Sequence, residues 1–68
     1  MNSGIYRHYF RNAEAAAAAE CQLNWYAGRR VAARGGTFVY LRIDCRDEAN
    51  MANMETLARA DRQEGGAR

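Results

Sequence analysis

Apolar and polar residues change their spacing several times along the chain, and each change marks an element. From Ile5 to Arg11 they alternate, with Tyr6, His8 and Phe10 on one side and Ile5, Arg7, Tyr9 and Arg11 on the other. That period of two predicts a strand. Residues 13–27 contain five consecutive alanines, Ala15 to Ala19, with Asn12 placed to cap the start and Gly28 to end the helix. Alanine has the highest helix propensity, and Glu14 suits the positive end of the helix dipole. On a helical wheel Ala15, Ala18, Ala19, Gln22 and Tyr26 share one face, bordered by Leu23 and Trp25, while Ala13, Ala17, Glu20, Cys21 and Asn24 lie opposite. The first face is predicted to meet a sheet, anchored at its C-terminal end by Leu23, Trp25 and Tyr26.

Arg29–Arg34, Gly35-Gly36 and Thr37–Ile43 then read as a hairpin, because adjacent glycines permit the positive φ angles of a tight primed turn. Alternation predicts Val31, Ala33, Val39, Leu41 and Ile43 on one face, and Arg30, Arg34, Phe38, Tyr40 and Arg42 on the other. The first strand can add Arg7, Tyr9 and Arg11 to the second face. Asp44 or Asp47 can cap a second helix over residues 47–62, with Met51, Met54, Leu57 and Ala58 as its apolar stripe. Residues 63–68, with Gly65-Gly66, are expected to fray. The predicted fold class is α+β: a small antiparallel sheet in the order β-α-β-β-α, with the first helix on its apolar face. Residues 1–68 are expected to form a single small domain.

Composition narrows this picture. The apolar fraction of 49% overstates the core, since 14 of those 33 residues are alanine and only 19 are larger or cysteine. At this length such a core makes a stable monomer marginal, and self-association into a homodimer would supplement it. All ten basic residues are arginine, as expected of a GC-rich genome, in which lysine codons are scarce. Their placement is a separate matter. Residues 1–46 hold seven arginines against three acids, a balance of +4, whereas residues 47–68 hold three against five, a balance of −2. The overall charge of +2 is too small to define a nucleic-acid binder by itself.

Candidate chemistry is sparse. His8 has no serine, cysteine or acid near it in sequence and shares a strand side with Tyr6 and Phe10, so a structural role is expected. Asp44, Asp47 and Glu48 are better explained by helix capping than by a metal, and Gly35-Gly36 lacks the spacing of a phosphate loop. Cys21 and Cys45 have no metal-ligand or redox spacing; two free thiols in a reducing cytoplasm are expected, and a disulfide between them depends on geometry. There is no charged-then-apolar leader and no apolar run long enough to span a bilayer, so no membrane partner is expected. No enzyme activity, cofactor or metal is predicted.

The face bearing Arg7, Tyr9, Arg11, Arg30, Arg34, Phe38, Tyr40 and Arg42 is the candidate partner-binding site. Three readings compete for it. The second helix or a second copy can cover the rings; another protein can dock there, since tyrosine and arginine are enriched among binding hot spots; or bases can stack on Tyr9, Phe38 and Tyr40 while arginines hold phosphates. The last has the physics of RNA-recognition sheets, although their aromatic motif is not reproduced. In size and layout the chain is similar to small inhibitors encoded by phages and mobile elements, anti-CRISPR proteins among them; the resemblance is one of proportions and rests on no diagnostic residue. It implies a non-enzymatic module that occludes a host protein or protein–nucleic acid complex, with a small RNA or single-stranded DNA binder or a homodimeric regulatory subunit as alternatives.

Overall fold

A computed structural model describes residues 5–65. Its elements are β1 (Arg7–Tyr9), α1 (Ala13–Ala27), β2 (Ala32–Gly35), β3 (Phe38–Leu41) and α2 (Glu48–Gly65), with a 3₁₀ turn at Ile43–Cys45. The three strands form an antiparallel sheet in the order β1-β3-β2. Both helices lie on one side of it: α1 packs on β2 and β3, and α2 packs against α1 and β1. The architecture is the small α+β fold that the residue pattern predicts.

The first helix begins and ends where its caps require. Asn12 Oδ1 accepts a 2.7 Å hydrogen bond from the Ala15 N–H, and Gly28 stops the helix with a left-handed φ of 72°. Its buried residues are Ala16, Ala19 and Leu23. The contact face is therefore rotated from the predicted one. Leu23 is the anchor, whereas Trp25 is 75% exposed and Tyr26 is also open to solvent. Alanine is the reason: a run of five identical small residues gives no wheel direction, so the larger side chains nearby had to decide it. What turns the helix is polar. Asn24 Oδ1 accepts hydrogen bonds from the N–H groups of Val31 at 2.7 Å and Ala32 at 2.8 Å, and its Nδ2 donates to the Ala32 carbonyl. Glu20, one turn earlier, pairs with Arg34 of β2 at 3.5 Å. The two residues predicted to face away from the sheet fasten the helix to it.

The hairpin forms, with its turn one residue later than Gly35-Gly36. Gly35 pairs with Phe38, so Gly36 and Thr37 make the loop. Gly36 has φ 67°, while no non-glycine residue has positive φ. That is the pattern of a type II′ connection, which needs glycine at its first central position only. A two-residue loop sets each odd-numbered residue opposite an even-numbered one. Ala32 thus opposes Leu41 and Arg34 opposes Val39, while Ala33 opposes Tyr40. The predicted grouping of Val31 and Ala33 with Val39 and Leu41 is corrected: Ala33 belongs to the aromatic side and Arg34 to the rim of the helix-covered side. Val31, just before β2, is buried as expected.

Strand β1 is shorter than residues 5–11, but backbone hydrogen bonds from Leu41 to the Tyr6 carbonyl and from Phe10 to the Thr37 carbonyl, both 2.8 Å, extend its pairing. After Leu41 the chain leaves the strand, with the Cys45 N–H donating to the Arg42 carbonyl. Alternation ends there, and Ile43, predicted to be internal, is 82% exposed. Asp47, not Asp44, caps α2, accepting from the Asn50 N–H at 2.9 Å. The helix continues through residues 63–65, so this part of the predicted frayed tail is helical; residues 66–68 lie outside the described range. Met54 and Ala58 are buried and Met51 and Leu57 half-buried, as the stripe predicts.

The resulting core contains Phe10, Ala16, Ala19, Leu23, Val31, Ala32, Val39, Leu41, Cys45 and Met54. Replacing Asn24 by alanine removes its three hydrogen bonds and leaves two N–H groups without their acceptor; a loss of about 2–3 kcal/mol is expected. Urea denaturation checks this, with Asn24→Asp, which keeps the acceptor, expected to lose less than Asn24→Ala.

Candidate docking face of the sheet

The site is the surface of the sheet turned away from both helices. Its centre is a ladder of three rings, built because Tyr9 lies opposite Phe38 and Tyr40 follows two residues along β3. The Tyr9 and Phe38 ring centroids are 4.7 Å apart with a 32° tilt, and Phe38 stacks on Tyr40 at 5.6 Å and 26°. Offset ring pairs at these distances are mutually attractive. The ladder thus holds its own shape, with Phe38 and Tyr40 half-buried and Tyr9 70% exposed. On the β2 side its neighbours are only Ala33 and Gly35, which leave the rings uncovered.

Cations sit at the end away from the Gly36 turn. Arg7 opposes Tyr40, with its guanidinium carbon 5.8 Å from the centroid of the Tyr6 ring. Arg42, the residue after β3, donates to the Arg30 carbonyl at 3.3 Å, which brings its guanidinium beside the Arg30 backbone. No strand contains an acid: the eight carboxylates of the chain lie in α1, in the 3₁₀ turn, at the Asp47 cap and in α2. Among the described residues none of the ion pairs involves Arg7, Arg30 or Arg42. The face therefore combines an apolar aromatic strip with a positive end.

Of the eight predicted contact residues, Arg7, Tyr9, Phe38 and Tyr40 come together on this surface, with Arg30 and Arg42 at its end. Two do not join them. Arg34 is turned to Glu20 and to the Gly36 carbonyl, the latter at 2.8 Å, because the hairpin register places it on the other side. Arg11 lies beyond β1, where the chain bends toward the Asn12 cap, and its guanidinium reaches Asp61 at 2.7 Å and Glu64 at 3.1 Å on α2. Neither the second helix nor any other described element covers the rings.

A polar cluster that the sequence conceals lies on the helix side. Asp61, only 7% exposed, accepts from Arg11 through Oδ1 and meets His8 Nε2 at 2.9 Å through Oδ2. The His8 ring also stands edge-on to Phe10, 4.6 Å between centroids. His8 lies at the boundary between sheet and helix, and its acidic partner is 53 positions away. Asp61 could have been suspected from its place on the stripe, three residues after Ala58, and Asn50, four before Met54, follows the same line. Asn50 Nδ2 donates to the Cys45 carbonyl at 3.0 Å. At the opposite end of β1, Arg46 lies 3.9 Å above the Tyr6 ring and donates to the Leu41 carbonyl.

Cys21 is exposed and Cys45 buried, both as free thiols. Among the described residues no group of three or more histidine, cysteine or acidic side chains could hold a metal ion, and no helix is long and apolar enough to cross a membrane. In comparisons with protein-family models, curated proteins and solved structures, nothing matches the chain.

Burial raises the pKa of Asp61, but hydrogen bonds from His8 and Arg11 outweigh it and hold the carboxyl below its ordinary value. A carboxylate depressed in the folded state contributes its stability above the ordinary, unfolded value and loses it as pH falls through the folded one. Asp61→Asn is therefore expected to cost about 2–3 kcal/mol near neutrality. In urea melts the gap between wild type and variant should shrink as the pH falls below the ordinary carboxyl value of 3.8 and on through the lower folded one.

Proposed function

We propose that the chain is a non-enzymatic interaction module whose uncovered sheet face docks on an acidic surface of another protein or protein–nucleic acid complex and occludes it. The observation that carries this reading is the Tyr9–Phe38–Tyr40 ladder, preorganised by its own stacking and left open on the side of the sheet that neither helix reaches. Preformed aromatic surface costs little entropy to bind with, and a rigid ring exposed beside arginines is the composition of an interface centre. Arg7, Arg30 and Arg42 at one end set the polarity of docking and select a negative partner, since charge complementarity steers encounter and penalises wrong partners. Such a device matches in kind the small inhibitors of phages and mobile elements, anti-CRISPR proteins among them, to which the chain is similar in proportions.

Geometry favours a protein partner over a nucleic acid. Phe38 packs against both Tyr9 and Tyr40, so the middle ring is already engaged and a base would find open ring surface at the two ends of the ladder and not along it. Single-strand binders offer successive rings to successive bases. An acidic protein surface with an apolar centre meets the ladder from above without separating it.

The test is capture from host lysate on wild-type protein and on Arg7→Glu/Arg42→Glu, each with and without nuclease. A protein partner that binds the wild type and binds the double variant about 10- to 100-fold more weakly is expected, with Tyr9→Ala costing a further 1–2 kcal/mol or so. Circular-dichroism melts of the variants should match wild type to within about 1 kcal/mol, because all three side chains are exposed. Equal capture by wild type and double variant would overturn the reading, and binding that disappears with nuclease would transfer the face to nucleic acid.

A further inference from the structure

The sheet ends in two edge strands, β1 and β2, which differ in whether their outward backbone groups are used. In an antiparallel ladder alternate residues bond to the neighbouring strand, so an edge leaves every second N–H and C=O pointing away from the sheet. On β2 the outward residue Ala32 is occupied by α1. Asn24 accepts from its N–H and donates to its carbonyl, as a neighbouring strand would. On β1 the bonds from Leu41 N–H to Tyr6 and from Phe10 N–H to Thr37 place the even-numbered residues toward β3. The odd-numbered ones therefore face outward. Asp61 of α2 accepts the outward N–H of Arg11 at 3.4 Å, which closes that end of the edge. Between there and the start of β1, Arg7 and Tyr9 each turn an N–H and a C=O outward, and no hydrogen bond among the described residues uses them. Their period of two is that of an extended chain lying alongside.

We propose that this edge receives an extended segment of the partner, which joins the sheet as a further strand beside β1; the proposal rests on the docking reading above and specifies how the partner lies. The sheet face identifies the side chains that segment carries. Exposed positions form two rows across the sheet, Arg7–Tyr40–Ala33 and Tyr9–Phe38–Gly35. A partner residue paired with Arg7 heads the first row, beside a guanidinium that has no ion pair among the described residues, so a carboxylate fits there. One paired with Tyr9 continues the row of rings at its open end, where Tyr9 is 70% exposed, so an aromatic side chain fits. The occupant is thus an extended segment with an acid and an aromatic residue separated by one position. A second copy of this chain fits poorly. Two helices side by side span about 20 Å and three strands about 14 Å, so the helix layer overhangs the sheet. The Asp61 contact with an outward N–H puts that overhang at β1, and an equal overhang from another copy would need the same space. A single strand brings no helix with it.

The test is amide hydrogen exchange of the intact protein, read residue by residue. The probe is a blocked peptide in which a glutamate and a tyrosine are separated by one threonine and flanked by threonines. In the free protein Arg7 and Tyr9 are expected to exchange fast and His8 slowly; near saturation the peptide should slow Arg7 and Tyr9 about 10-fold or more. Methylating the peptide nitrogens of the glutamate and tyrosine removes the donors that face β1 and should weaken binding about 10-fold or more. Methylating the threonine nitrogens, which face away, should weaken it far less. In the protein, Arg7→Pro removes the outward N–H as well as the charge, and an edge strand tolerates proline there. It should bind the peptide several-fold more weakly than Arg7→Ala, about the loss of one hydrogen bond, with matching circular-dichroism melts. Absence of protection at millimolar peptide, or equal binding of the two methylated peptides, would overturn the proposal. Protection that grows with protein concentration alone would overturn it in favour of a second copy. Capture of a partner that falls with Arg7→Glu/Arg42→Glu but is equal for Arg7→Ala and Arg7→Pro would remove the added strand and leave the docking face standing.

Discussion

The central strand sets everything else in this molecule. Both β1 and β2 hydrogen-bond to β3 and not to each other, so the register of those two ladders decides which side chains meet. Val39 and Leu41 point to the helices and are fully buried, while Phe38 and Tyr40 point the other way. A slip of one residue would exchange the two sets, exposing the core and burying the rings. The Gly36-Thr37 loop holds that register, because the only positive φ in the hairpin is at a residue without a side chain.

Around that strand the fold relies on a few polar fasteners more than on large apolar volume. Alanine supplies much of the helix–sheet contact, so α1 comes close to the strands but gains little from each contact. Asn24 compensates by accepting from the N–H groups of Val31, just before β2, and of Ala32, its first residue. Asp61 does the same between α2 and β1, through His8 and Arg11. Buried polar groups of this kind specify one arrangement, because any other leaves them unsatisfied. The same economy explains why the outer surface can be given over to aromatics: the two helices cover one side of the sheet, and no other described element covers the second side.

The arginines illustrate how position divides one residue type among different tasks. Arg11, Arg34 and Arg46 are occupied within the fold, with Asp61 and Glu64, with Glu20, and with Tyr6 and the Leu41 carbonyl. Arg7, Arg30 and Arg42 gather at the open end of the sheet instead. Counting charges along the chain cannot separate these groups, because the carboxylates that neutralise the first set come from α1 and α2. The local positive balance of the first 46 residues is thus smaller at the surface than it looks in the sequence, and more concentrated.

Much of the architecture was legible from residues alone, for reasons that are local. Asn12 and Gly28 bound a helix wherever they flank an alanine-rich stretch, adjacent glycines between alternating segments make a hairpin, and Met54 with Ala58 marks the inner side of α2. The alternation of Phe38, Val39, Tyr40 and Leu41 assigned each to its correct side. Tertiary structure alone decided which way α1 faces, since five alanines carry no directional information, and so sent Trp25 outward and Asn24 inward. It also chose the turn at Gly36-Thr37 over its neighbour, which moved Arg34 away from the rings, and it brought Asp61 to His8. Those choices depend on hydrogen bonds between residues distant in sequence, and a period in hydrophobicity does not record them.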